Sequence, residues 1–151
     1  MSGKDCLQQI QVMDIRIKQK MDQLEDMKRM RTYLRGACIG SGSKSGNMSD
    51  GFSKMSDKLI DLERTLNQEI KAYQLMKNEQ INRIQSLSKP EYMEVLYKRY
   101  VEYKTVERIS YEMNYTYKYT SRLIANAVKE FEKQNTTKDE NIKNKCAKMV
   151  S

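Results

Sequence analysis

The sequence predicts an all-α protein: a long antiparallel helical hairpin of coiled-coil character, followed by a C-terminal domain of three shorter helices. Three observations carry that expectation. Apolar residues recur at steps of three and four through most of the chain, the spacing that keeps side chains on one helical face. Pro90 is the sole proline in 151 residues, and every glycine except Gly3 lies between positions 36 and 51, so little interrupts a helix elsewhere. Hydrophobic residues make up 38% and charged residues 32%, whereas ordinary globular domains have roughly 45–50% and about 25%. That balance suits helices with one apolar stripe and a broad solvated surface.

Residues 1–88 are read as the hairpin. The first stripe runs through Leu7, Ile10, Met13, Ile17, Met21, Leu24, Met27 and Leu34, and Gly36 stands where a helix commonly stops. Arg31 falls on that stripe, where an apolar residue is expected, and reads as a snorkelling side chain or a fray point. Residues 36–51, GACIGSGSKSGNMSDG, have no periodicity and are read as a flexible Gly/Ser connector, with Ser49 or Asp50 as the cap of the next helix. The stripe resumes at Phe52, Met55, Leu59, Leu62, Leu66, Ile70, Tyr73, Ile81, Ile84 and Leu87. Two amphipathic segments leave such a stripe partly open, so a homo-oligomer, in the first instance a dimer, is expected to cover it.

Residues 89–134 are read as the three-helix domain. Ser88 is a candidate cap and Pro90 suits a first helical turn. After a break at Glu102–Lys104, Thr105 caps the segment VERISYEM, whose Val106, Ile109 and Met113 share one face. Asn114 follows. A tight turn between helices needs one residue in the left-handed region, which asparagine tolerates better than any residue but glycine. Tyr115 is expected to plug the turn and Thr116 to cap the last helix. In that helix Thr120, Leu123, Ile124, Ala127 and Phe131 form the inner face. The opposite face carries Lys118, Ser121, Arg122, Ala125 and Lys129. Small polar residues between cations are what a helix entering the major groove of double-stranded DNA requires: close approach to base edges, with positive charge for phosphates. The candidate DNA-binding residues are therefore Thr116, Tyr117, Lys118, Ser121, Arg122, Ala125 and Lys129. Residues 135–151 are polar and read as a disordered tail.

The run YKRYVEYKTVERISYEMNYTYKYTSRLIANAVKEF resembles region four of bacterial sigma factors. Arg99–Tyr100, Ile109–Ser110, Met113–Asn114, Thr116 and Ala127 occupy the family's landmark places, with Ser110 for the usual alanine, Asn114 for glycine and Thr120 for valine. With KLIDLERTLNQEI at 58–70, the chain is similar to small phage and prophage proteins of low-GC Gram-positive bacteria over about residues 55–133. The resemblance implies a helix-turn-helix at 89–134, promoter-like duplex DNA as partner, RNA polymerase as a second contact, and a bacterial host cytoplasm. Nothing in the chain resembles the promoter-melting region of a sigma factor.

Other features narrow the function classes. The formal net charge of +8 favours a polyanionic partner. Positions 89–134 hold 9 Lys and Arg against 7 Asp and Glu, so the charge matters through the face it occupies. The chain has no histidine, no glycine-rich phosphate loop and no paired acidic metal motif, which points away from an enzyme, a cofactor and a metal. Cys6, Cys38 and Cys146 form no metal spacing and read as incidental thiols of a reducing cytoplasm. No apolar run is long enough to span a membrane. Two further readings stay open: a small terminase-like packaging or assembly protein, which also joins a helix-turn-helix to a coiled coil, and a coiled-coil interaction module with no DNA role.

Overall fold

In the computed structural model the described residues are helical, with no strand among them. The structure describes the backbone of residues 2–40 and 48–149, and the side chains of those residues other than 37–40, 48–50, 52 and 139–149. Five helices follow in order: α1 (Gly3–Gly40), α2 (Met48–Gln85), α3 (Pro90–Leu96), α4 (Val106–Met113) and α5 (Tyr117–Met149). A π-helical turn, Tyr97–Val101, continues α3. No helix among the described residues is long and apolar enough to cross a membrane.

The helices outrun the punctuation read from the sequence. Gly36 does not stop α1, which continues to Gly40, because no glycine among the described residues takes a positive φ. Without that left-handed turn, a glycine costs a helix only about 1 kcal/mol. Ser49 and Asp50 lie inside α2 and not at its cap, so helix occupies both margins of the expected 36–51 connector; positions 41–47 fall outside the described residues. Ser88 is not the cap of α3 either. Lys89 holds that place in an extended conformation (φ −100°, ψ 121°), as the residue before a proline must, and no side chain caps the helix. At the other end, α5 runs past Gln134 to Met149, through the segment read as a disordered tail. Neither glycine nor proline follows Asn114, so nothing there terminates a helix.

Packing divides the chain elsewhere than at residue 88. One compact unit is Met1–Val12 with Met76–Ser151; the other is Met13–Leu75. The core of the first brings Leu7 and Ile10 of α1, and Ile84 with Leu87 beyond it, against Val95, Leu96, Ile109, Leu123, Ala127 and Phe131. The two ends of the expected hairpin therefore belong to the C-terminal core. Gly3 makes the approach possible. Its N–H donates to Glu132 Oε1 at 3.1 Å, and a Cβ at that position would lie 2.9 Å from Glu132 Cβ.

The unit Met13–Leu75 buries less. Leu59, Leu66 and Ile70 are buried, with Met13 at its margin. Ile15, Met21, Met30, Leu62 and Leu75 are exposed. Polar pairs link its two helical stretches: Lys20 to Glu69 at 2.7 Å, Arg31 to Glu63 at 3.0 Å, and Arg16 over the Tyr73 ring at 5.6 Å. Arg31 is thus neither frayed nor snorkelling; it is half-buried in an ion pair.

Candidate nucleic-acid interface

The stretch Thr105–Gln134 follows from a few local devices. Thr105 stands extended before α4 (φ −72°, ψ 158°), and its Oγ1 accepts from Arg108 N–H at 3.3 Å, as the sequence predicts. At the other end Asn114 takes φ 55°, ψ 39°, in the left-handed region. Its N–H donates to Tyr111 O at 3.4 Å and the Tyr115 N–H donates to Ser110 O at 2.9 Å. Those two bonds are the Schellman pair, which satisfies carbonyls that a helix end leaves without partners. Tyr115 packs on the core and its ring meets Tyr119 edge-on at 4.8 Å. Thr116 then caps α5: its Oγ1 accepts from Tyr119 N–H at 3.2 Å.

The two faces of α5 separate as the sequence predicts. Thr120, Leu123, Ala127 and Phe131 are buried and Ile124 is half-buried. Thr116, Tyr117, Lys118, Ser121, Arg122, Ala125 and Lys129 are all exposed. At 100° per residue, Lys118, Arg122, Ala125 and Lys129 form a narrow stripe opposite Ala127. Lys133 lies outside the expected set, extends that stripe by one turn and is exposed; the i, i+4 step from Lys129 is the signal that finds it. Tyr111 is 79% exposed in the last turn of α4 beside the turn at Asn114.

Charge is sorted between the two sides of this unit. Glu112 on α4 accepts from Lys104 at 2.8 Å, Lys98 at 3.0 Å and Arg108 at 2.9 Å, tying the π-helical turn and the following loop to α4. Lys104 above all, then Lys98, hold its carboxyl down at about 2. These cations are therefore spent on Glu112. Lys118, Arg122, Lys129 and Lys133 make no ion pair among the described residues, so α5 carries a line of uncompensated positive charge. One acidic residue near the stripe, Glu132, turns its Oε1 to the Gly3 N–H.

The buried face is not fully satisfied. Thr120 Oγ1 is buried and has no hydrogen-bond partner among the described residues. A β-branched hydroxyl there fills the space of a valine but strands a polar atom.

Among the described residues no group of His, Cys, Asp or Glu is arranged to hold a metal ion. Compared with protein-family profiles, with curated proteins and with solved structures, the chain matches none.

Proposed function

We propose that the protein is a sequence-specific double-stranded DNA-binding transcription regulator of a phage or mobile element. In this reading α4, the turn at Asn114 and α5 form a helix-turn-helix, and α5 enters the major groove. One observation carries the proposal: the unpaired cations Lys118, Arg122 and Lys129 share a face with the small residues Ser121 and Ala125, while the opposite face of α5 is buried. A helix read by DNA needs short side chains where bases approach and cations at the flanks. Arg122 is assigned to a base edge, with guanine the natural partner of its planar fork. Lys118 and Ser121 lie beside it, Thr116 and Tyr117 meet the backbone at the N-terminal end, and Lys129 meets a phosphate.

The unit Met13–Leu75 supplies the oligomer contact in this reading, through an antiparallel hairpin of α1 and α2. Its exposed Ile15, Met21, Leu62 and Leu75 are the apolar surface that a second copy would cover. Sedimentation at a mass near twice 17.8 kDa is the expected result.

The test is selection from a random duplex library at near-physiological salt, followed by variants on the selected site. Arg122→Ala is expected to lose roughly 1–3 kcal/mol of discrimination at one base position. Lys129→Ala is expected to weaken all duplexes alike and to reduce the salt slope by about one. An unenriched library, or an Arg122→Ala protein with unchanged preference, would remove the assignment.

A further inference from the structure

Lined by no residue of α5, a cavity of about 370 Å³ lies between the start of α1 and the segment after α3. Its lining is Lys4, Gln8, Gln11, Arg99, Tyr100 and Tyr103. Every one of these side chains carries a hydrogen-bond donor, two are cationic and none is a carboxylate. Lys4, Gln8 and Gln11 follow i, i+4, i+7 spacing and so share one face of α1. Such a lining is matched to an anion with several acceptor oxygens.

Two backbone irregularities build the other wall. Arg99 and Tyr100 belong to the π-helical turn, a conformation rare in helices and concentrated where a side chain must be re-aimed. Tyr103 sits at φ 56°, in the left-handed region that a bulky residue seldom adopts. Departures of this kind cost energy and persist where the surroundings require them. The Arg99 guanidinium is also fixed in place, one terminal nitrogen donating to Lys104 O at 2.9 Å. That bond uses one of the five N–H donors of the fork.

We propose that this cavity is a phosphate-binding site, with Lys4 and Arg99 as its charged ligands and Gln8, Gln11 and Tyr100 as additional donors. The phosphate has two natural sources, the backbone of a bound duplex or a free phosphate-bearing small molecule. The site stands independently of the role given to α5, since no residue is shared between them.

The full-length, isotopically labelled protein is titrated with inorganic pyrophosphate at constant ionic strength, and amide shifts are followed. Saturable shifts centred on residues 4–11 and 99–104 are expected. Lys4→Gln, an exposed substitution that leaves the core untouched, is expected to weaken that binding at least tenfold, and Arg99→Gln likewise. Lys129→Gln is expected to leave it unchanged. Linear shifts spread over all surface cations, or the same titration in Lys4→Gln as in the parent, would overturn the proposal. The source is then read from duplex binding. A salt slope lowered by about one in Lys4→Gln identifies a backbone phosphate, and an unchanged slope identifies the free ligand. A protein that binds pyrophosphate saturably but no duplex keeps this site and loses the reading of α5.

Discussion

Between Met76 and Phe131 the apolar stripes close on one another and on the first turns of α1; between Met13 and Leu75 the same three-and-four spacing leaves much of the stripe in solvent. Periodicity alone does not separate these outcomes. What separates them is the number of independent directions from which a side chain is covered. Ile109 and Phe131 belong to a cluster that draws side chains from all five helices. In Met13–Leu75 only two long helices supply cover, and side chains off the shared seam, such as Leu75 at 68% exposure, stay open. Ion pairs such as Arg31–Glu63 hold the seam where apolar cover is thin.

The contrast is sharpest in a pair of alanine substitutions measured by chemical denaturation. Phe131→Ala is expected to destabilise the C-terminal unit by about 3–5 kcal/mol, the usual cost of emptying a fully buried aromatic site. Leu62→Ala, at an exposed position in the other unit, is expected to change stability by no more than ~0.5 kcal/mol in the monomer. Equal losses would mean that the two units do not differ in the way described. Next in size is Gly3→Ala. Its new Cβ would lie 2.9 Å from Glu132 Cβ and 3.2 Å from Val128 O, so α1 must shift off α5 at a cost of about 1–3 kcal/mol. An unchanged midpoint would place the start of α1 outside the core. Thr120→Val acts in the opposite direction. It removes a stranded hydroxyl at constant shape and is expected to stabilise by about 1 kcal/mol, or roughly 2–4 °C in Tm. A fall in Tm would show that the hydroxyl is paired in solution.

The last test is an acid titration of the ion cluster in the well-packed unit. Because Lys104 and Lys98 hold the Glu112 carboxyl at about 2, far below its ordinary 4.5, it contributes stability that is fully present above 4.5 and is lost as pH falls toward 2. Thermal melts from pH 7 down to pH 2 are expected to converge for the parent and Glu112→Gln at the acid end and to separate above it. Parallel curves at all pH values would sink this assignment.

The C-terminal unit was the more legible because its signals are local. Thr105, Asn114 and Thr116 each act on backbone within a few residues, so their roles are written where they stand. The inner and outer faces of α5 likewise follow from helical geometry alone. Other features depend on partners distant in sequence. That Leu7 and Ile10 leave the first stripe to join Phe131, or that Arg31 finds Glu63, is decided by tertiary packing and has no local sign. Gly36 misled for a different reason: glycine permits a helix end without imposing one. Of the cavity beside Tyr103, the sequence offered only scattered cations, because its wall depends on a π-helical turn and a left-handed tyrosine that no spacing rule anticipates.

The clasp between Gly3 and Glu132 joins positions 129 apart in sequence. A ribosome delivers Leu7 and Ile10 long before Leu123, Ala127 and Phe131, so this core cannot close around the first turns of α1 until α5 has emerged. Closure over so long a separation is of the kind that slows folding and lengthens the exposure of nascent apolar surface.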